Sequence, residues 1–228
     1  MTDIVLFEIK MDEKLINCDL NGLWIDSAAL SLSEAVALAA TQLFDIDFND
    51  IKSGYRIRQT QNQVYIDIYL FDSLSSGAGY SSLLTDKIEK LFYLTRDILH
   101  CRNHCVTACN DCLEHYWNQK VHSKLNRHFA LQLLDWMQSN KLAKAIDFDK
   151  QVSMIKGLKE LCFTDNKFEI SISNDEILIK SNNKIKELII YPSMWNVTNK
   201  NNSKIYISAS QLNKDLPSVY KKITNMIL

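Results

Sequence analysis

Alternating apolar and polar positions indicate strands in the first part of the chain. The segment DIVLFEI (3–9) alternates well enough for an opening strand. The segment QVYIDIYLFD (63–72) has the same period of two and is rich in β-branched and aromatic residues. We therefore predict one strand at each of these two places.

Three further segments have the apolar spacing of amphipathic helices. The segment 31–46 opens with Ser31 and Glu34, which is the pattern of a capping box at a helix start. A second helix is predicted over 80–99 and a third over 123–138, in SKLNRHFALQLLDWMQ.

Beyond about residue 145 the pattern changes to short strands separated by Asn-rich turns. A helix is predicted over 154–162, and a final helix over 210–228 that Pro217 interrupts or restarts. Between them lie predicted strands at 167–173, 176–181, 186–191 and 204–210. The predicted class is α/β (α+β): helices on a small mixed sheet in a domain 1–145, then a smaller α/β extension, 146–228.

The composition of the 228 residues is that of a globular protein. Apolar residues make up 46% and charged residues 23%, and glycine and proline are few. No run of 18 apolar residues occurs, so we expect no membrane span. Acidic residues stand near the N-terminus, where a secretory signal needs basic and apolar ones. We therefore expect a cytoplasmic protein.

The net charge of −1 conceals a difference between the two parts of the chain. Residues 1–140 carry 12 basic and 18 acidic side chains, whereas residues 141–228 carry 14 basic and 9 acidic. A nucleic acid would therefore be attracted to the C-terminal part or to a local patch. A solvated, Lys- and Asn-rich surface explains the same bias.

The segment CRNHCVTACNDC (101–112) contains four of the six cysteines. On an unbroken helix these four would form one narrow stripe, which a core would accept because free cysteine behaves as a small hydrophobe. The outer two would then lie roughly 16 Å apart, whereas tetrahedral zinc needs sulfurs within about 4 Å. A metal site therefore requires the backbone to fold back, which Asn103, Asn110 and Asp111 favour.

Clustered cysteines in a cytosolic chain favour a metal over a core stripe. Four thiolates suit one structural zinc ion and equally suit an iron–sulfur cluster. Cys105, Cys109 and Cys112 also have the spacing of radical S-adenosylmethionine enzymes, although Asp111 stands where those enzymes usually have an aromatic residue. Spacing alone leaves zinc and iron–sulfur open.

A glycine-containing loop, SLSSGAG (73–79), joins a predicted strand to a predicted helix. That is the position of a phosphate-binding loop, but Ser82 replaces the third glycine of a dinucleotide fingerprint. We interpret Gly77 and Gly79 as part of a tight turn. The chain has no P-loop motif, and no hydrolase constellation stands out, so we expect no enzyme activity from this chain itself.

Together these segments resemble the MrfA-type zinc-binding domain, or MZB. The family pattern is a strand ending in aspartate, a glycine turn, a helix, four clustered cysteines and a further helix. Ser76 and Asn126 depart from it. The matching residues are Asp72, Gly77, Ala78, Gly79, Tyr80, Cys101, Cys105, Cys109, Cys112, Leu113, Asn118, His122, Leu125 and Arg127.

The resemblance implies one structural zinc held by Cys101, Cys105, Cys109 and Cys112, and a turn built on Asp72, Gly77 and Gly79. It further implies a non-catalytic accessory domain of superfamily-two helicases or of DISARM-type (DrmB-like) phage-defence components, which places the chain in DNA repair or antiviral defence. Its partner would be a helicase core or another subunit of such a complex.

Basic residues around the cysteines suggest contact with DNA. Arg102, Lys120, Lys124 and Arg127 stand near Tyr116 and Trp117, and such a group contacts phosphates and stacks on bases. The alternative is that Trp117 is a core residue and the basic residues are solvated. Two other functions stay open: an iron–sulfur enzyme using the same cysteines, and an interaction protein that binds no metal.

Overall fold

The computed structural model describes residues 3–61, 63–73, 79–165, 167–181, 184–198 and 201–228. Within them the chain divides into two compact units, Met1–Leu142 (unit 1) and Ala143–Leu228 (unit 2). The sequence places the boundary nearby, after residue 145. Each unit combines a small sheet with helices, which confirms the predicted α+β class.

The elements of unit 1 place the cysteine segment between two helices. Its strands are β1 (Ile4–Met11), β2 (Ile51–Gln59) and β3 (Val64–Asp72). Its α-helices are α1 (Ile25–Phe44), α2 (Tyr80–Leu84), α3 (Ile88–His100) and α4 (Arg127–Ser139). Short 3-10 segments cover Thr85–Lys87 and Tyr116–Lys124. The cysteines lie between α3 and α4.

Strand β3 is the central strand of the unit 1 sheet, with β1 and β2 antiparallel on either side. Because side chains alternate along a strand, β3 has an inner and an outer row. The inner row is buried and consists of Val64, Ile66, Ile68 and Leu70. The outer row consists of Tyr65, Asp67, Tyr69 and Phe71, and the sheet surface that carries it is called the outer face below.

Strand β2 has no counterpart among the predicted strands. Its outer row is polar, with Lys52, Gly54, Arg56 and Arg58, and its inner row includes Ser53. The alternation of hydrophobicity is therefore too weak to indicate a strand. Pairing with the strongly apolar β3 places this segment in the sheet.

Helix α1 is the central helix of unit 1 and packs against α3, α4 and β2. It begins at Ile25, before the predicted start, so the capping box predicted at Ser31 is wrong. Ser31 and Glu34 lie inside the helix, where their side chains bond to residues distant in sequence. Many of its buried positions are alanines, which let neighbouring elements approach closely.

By length and composition alone, α1 is apolar enough to cross a membrane. However, 72% of its most apolar window is buried inside the protein. Such burial is typical of the core helix of a soluble protein.

Unit 2 packs helices against one face of a mixed sheet whose strand order is β4-β5-β6-β7. Strands β6 and β7 are parallel and the other pairs are antiparallel. The strands are β4 (Glu169–Ser173), β5 (Glu176–Ser181), β6 (Lys184–Tyr191) and β7 (Lys204–Ser208). The helices are α5 (Phe148–Met154), α6 (Lys156–Asp165), α7 (Ala209–Lys214) and α8 (Leu216–Ile227).

Two details at the C-terminal end of unit 2 differ from the predictions. Strand β7 ends at Ser208, whose hydroxyl accepts a hydrogen bond from the Gln211 N–H and so starts α7. The single predicted final helix is two helices, because Asp215 has a non-helical backbone and caps α8 through the Ser218 N–H. Pro217 lies in the first turn of α8, where proline is tolerated.

Candidate metal centre

The four cysteine sulfurs of residues 101–112 lie together. All four Sγ atoms are within 4.8 Å of one another. Cys101 Sγ is 3.6 Å from Cys109 Sγ, Cys105 Sγ is 3.6 Å from Cys112 Sγ, and Cys109 Sγ is 3.8 Å from Cys112 Sγ. A tetrahedral zinc with bonds of about 2.3 Å has sulfurs roughly 3.8 Å apart. The donor set therefore fits such an ion.

The backbone folds back between the cysteines, so the segment is not a helix. Cys101 ends α3 with φ of 48°, and its carbonyl accepts the His104 N–H at 2.9 Å. A second turn forms at Cys109, whose carbonyl accepts the N–H groups of Cys112 and Glu114, each at 3.0 Å. Asn103 donates a side-chain hydrogen bond to Asp111 across the two turns. We call Cys101–Cys112 the knot.

The thiols of the knot differ in their tendency to ionise. Burial of Cys101 opposes ionisation, but hydrogen bonds from backbone N–H groups at Cys105 and Asn103 lower its pKa to about 7. Burial raises the pKa of Cys105 and Cys112; the thiols of Cys101 and Cys109 add to the rise at Cys105, and those of Cys105 and Cys109 add to the rise at Cys112. Crowded thiolates repel one another in the absence of a cation, so ionisation of all four depends on a positively charged ligand.

The side chain of Arg127, at the start of α4, is hydrogen-bonded to the knot and to the end of α3. Its Nε donates to the Cys105 carbonyl at 2.8 Å, and its Nη1 donates to the carbonyls of Leu99 and His100 at 3.1 and 3.2 Å. The latter two are free carbonyls at the C-terminal end of α3, where a cation is favoured. Arg127 is only 7% exposed. Its charge therefore supports the knot and is not presented to a phosphate.

A polar network fixes the chain after the knot against α1. Asn118 is buried and its Nδ2 donates to Glu34 Oε2 at 3.0 Å and to the Leu113 carbonyl at 2.9 Å. Its Oδ1 accepts the His115 N–H at 3.0 Å and lies 2.8 Å from His122 Nε2. His115 Nε2 lies 2.9 Å from the same oxygen of Glu34.

Ser31 completes the attachment of α4 to α1. Its Oγ accepts the Asn126 N–H at 2.7 Å. The Asn126 side chain in turn caps α4 by accepting the N–H groups of His128 and Phe129 at 3.0 and 3.2 Å. Although Asn126 departs from the family pattern, its side chain therefore still caps the start of α4.

Replacing Asn118 by alanine is expected to lower the free energy of unfolding by about 3 kcal/mol, because buried hydrogen-bonding partners lose their bonds. Gln119→Ala is the matched control: Gln119 is the exposed neighbour of Asn118, so its removal should cost less than about 0.5 kcal/mol. Urea unfolding followed by circular dichroism measures both. Equal losses in the two variants would contradict a fixing role for Asn118.

The turn before α2 is organised by Asp72. Its Oδ2 accepts the Gly79 N–H at 2.7 Å, and its Oδ1 accepts the N–H and hydroxyl of Ser81 at 3.0 and 2.7 Å. Gly79 has a φ of 77°, which glycine adopts without strain. Two of the three predicted turn residues therefore lie together, while Gly77 lies outside the described residues.

Three of the four basic residues predicted to contact nucleic acid are exposed. Arg102 and Lys120 face solvent, and Lys124 does so with its Nζ 4.0 Å from Asp26 Oδ2. Arg127 is the exception, because its guanidinium donates hydrogen bonds to carbonyls of α3 and of the knot. The alternative reading of Trp117 as a core residue is wrong, since Tyr116 and Trp117 are 73% and 61% exposed.

Comparisons with known proteins agree with this geometry. Residues 32–113 match the family model of the MrfA Zn-binding domain (MZB). Over 246 aligned residues the chain is 25% identical to the Druantia protein DruE of Escherichia coli (strain UMEA 4076-1). The alignment covers 99% of this chain. The chain spans only 13% of that relative's length.

A solved structure is also similar over part of the chain. It is described as the crystal structure of the DUF1998 helicase MrfA bound to DNA, and it is 19% identical with a TM-score of 0.41. The match covers 53% of this chain and 15% of that one. On the family match and the sulfur geometry, the chain contains an MZB-type zinc-binding domain.

Proposed function

We propose that this chain is a non-catalytic accessory module of a DNA helicase or translocase, built around one structural zinc ion. The observation that carries the proposal is the set of four Sγ atoms within 4.8 Å of one another, inside a segment that matches a zinc-binding family. Four cysteine ligands close a tetrahedral site, whereas catalytic zinc sites keep a position open for water or substrate. The proposed role of the ion is therefore architectural.

Residues that surround the knot fix one region of unit 1. Arg127 ties the knot to α4, Glu34 and Asn118 tie the following 3-10 segment to α1, and Ser31 ties down the start of α4. A bound zinc ion would supply the charge that four neighbouring thiolates need. The surface beside the knot is thereby held in one conformation.

We further propose that this surface contacts nucleic acid. The knot surface is defined as Arg102, Tyr116, Trp117, Lys120 and Lys124. The two rings form an edge-to-face pair with centroids 5.2 Å apart, and Lys52 Nζ lies 5.7 Å from the Trp117 ring. Exposed aromatic rings beside cations provide stacking and phosphate contacts.

The setting we propose is a cytoplasmic complex for DNA repair or antiviral defence, with a helicase core, fused or separate, as the partner. The similarity to the Druantia protein DruE and to the MZB family supports this setting. An enzyme that uses an iron–sulfur cluster on the same cysteines is the alternative.

The knot surface is tested by removing its charges. We expect the combined variant Arg102→Gln, Lys120→Gln, Lys124→Gln to bind DNA at least about tenfold more weakly, with a salt dependence lower by about 2 in log–log slope. Fluorescence anisotropy with labelled single-stranded and duplex DNA measures both. The matched control removes three exposed lysines elsewhere in unit 1, Lys14, Lys90 and Lys141.

Equal losses in the two combined variants would show that only net charge matters and would contradict specific contact at the knot surface. Unchanged affinity in the first variant would contradict nucleic-acid contact at the knot surface and would be consistent with docking of a protein partner there.

A further inference from the structure

The outer face of the unit 1 sheet is basic, although unit 1 as a whole is acidic. All strand residues of this face are among those described, and their charged side chains are Lys10, Lys52, Arg56 and Arg58 against Glu8 and Asp67. The local balance is therefore positive. Helix α1 packs against β2 and β3 on the inner face, and Arg56 on the outer face is 63% exposed.

Aromatic rings lie along the centre of this face. An added Cβ at Gly54 would come within 2.5 Å of the Tyr69 ring, so the ring of Tyr69 lies directly over the backbone of β2. Tyr69 is partly exposed in that position. The Phe71 ring centroid is 6.4 Å from that of Tyr69, with 30° between the ring planes. Both rings therefore lie in similar orientations along β3.

Two arginines are held in place beside these rings. Arg56 and Arg58 both donate to the buried carboxylate of Asp67, with nitrogen–oxygen distances of 2.6 to 3.0 Å. The Arg58 guanidinium also lies over the Tyr65 ring, 4.9 Å from its centroid. Asp67 thus fixes two guanidinium groups that would otherwise repel each other, and Glu8 Oε2 also accepts from Arg58 Nη2 at 2.5 Å. These bonds to Asp67 and Glu8 involve Nε and Nη2 of the arginines, so a phosphate would be reached through Nη1.

The outer face continues to the knot surface through Lys52. This residue belongs to the outer row of β2, opposite Phe71, and its Nζ lies near the exposed Trp117 ring. A row of rings and cations therefore extends from Tyr65 along β3 to Trp117.

We propose that the outer face binds single-stranded nucleic acid, with successive bases on Tyr69 and Phe71 and the backbone phosphates near Arg56, Arg58 and Lys52. Flat rings beside fixed cations suit unpaired bases, because the bases of a duplex are stacked inside it and do not expose their faces. The 6.4 Å between the two ring centroids exceeds the ~3.4 Å between stacked bases, so it suits an extended strand. This inference rests on the nucleic-acid contact proposed above, but not on the metal.

The test compares variants of the whole zinc-loaded chain with labelled oligomers of about 20 nucleotides, longer than the roughly 4–16 nucleotides that one small single-strand binding fold covers. Tyr69→Leu keeps an apolar cover on Gly54 but removes the ring, and should weaken binding to oligo-dT about tenfold. Tyr69→Phe keeps the ring and should bind as the unaltered chain does. Tyr93→Leu removes an exposed ring on α3 and serves as the matched control.

Arg56→Gln gives a second, independent readout, because Arg58 remains to pair with Asp67. It should lower the salt slope by about 0.7, the value for one phosphate contact to a single strand. Oligo-dT, oligo-rU and a duplex distinguish DNA from RNA and paired from unpaired strands. Weaker binding to the duplex than to both single strands supports the proposal.

Three outcomes would overturn the inference. If Tyr69→Leu and Tyr93→Leu bind equally, while the combined knot-surface variant loses affinity, the sheet does not bind and the knot-surface proposal stands. If the unaltered chain binds the duplex but no single strand, this inference is wrong and the knot-surface proposal stands. If it binds neither, both proposals of nucleic-acid contact are wrong, and the structural zinc is unaffected.

Discussion

Replacing Cys109 by serine should unfold the knot and destabilise unit 1 by most of the free energy that zinc supplies, which is on the order of 10 kcal/mol for structural sites. A loss of this size is comparable to the whole free energy of unfolding of many domains, which is about 5–15 kcal/mol. The serine hydroxyl is a poor zinc ligand, and Cys109 Sγ lies close to the sulfurs of both Cys101 and Cys112. The expected result is a large fall in helical circular dichroism and in Tm.

The control for this variant is Cys18→Ser, because Cys18 is a half-buried cysteine outside the knot. Its Tm should change by only a few degrees. Treating the unaltered chain with a strong zinc chelator should reproduce the effect of Cys109→Ser. If the chelator leaves Tm untouched, the knot is held by packing alone and the interaction protein without metal becomes the better account.

Replacing Arg127 by methionine should cost about 3–5 kcal/mol of unfolding free energy. Methionine preserves much of the side-chain volume but leaves three carbonyls of α3 and the knot without their donor. Groups that orient metal ligands typically change metal affinity about 10–100-fold when they are removed. We therefore expect weaker zinc binding as well, measured by competition with a chromophoric chelator.

Lys120→Met is the matched control, since it removes one exposed positive charge near the knot. It should leave both stability and zinc affinity nearly unchanged. A stable Arg127→Met variant with normal zinc affinity and reduced DNA affinity would contradict the structural role and restore Arg127 to the nucleic-acid surface.

The described strands other than β2, and the cysteine cluster, are predictable from the sequence because their signals are local. The alternation of Ile66, Ile68 and Leu70 is enough to indicate β3. For the knot, the distance between cysteines on a helix excluded a shared metal, and the turn-forming residues Asn103 and Asp111 made the folded-back alternative feasible. Both conclusions needed only neighbouring residues.

The contacts that support the knot could not be predicted, because they join residues distant in sequence. Ser31 and Glu34 have the spacing of a capping box, yet their partners are Asn126 and Asn118, far along the chain. A local pattern does not reveal whether such side chains bond to their own helix or to another element. The same applies to β2, whose pairing with β3 is not visible in its own residues.

Arg127 is the clearest case of a residue whose role cannot be predicted from the sequence. In the sequence it is one of several basic residues beside the cysteines, equivalent to Lys120 and Lys124. Only the fold distinguishes a buried guanidinium with three carbonyl acceptors from an exposed ammonium group. Charge in the sequence therefore does not reveal that Arg127 supports the knot, and nucleic-acid contact by the other three basic residues stays a prediction.

Elemental analysis of the purified chain tests the central claim most directly. The account predicts one zinc per chain and no significant iron, and loss of that zinc in Cys109→Ser but not in Cys18→Ser. Iron in place of zinc, with a brown colour and absorbance near 400 nm, would contradict it and favour an iron–sulfur protein built on the same four cysteines.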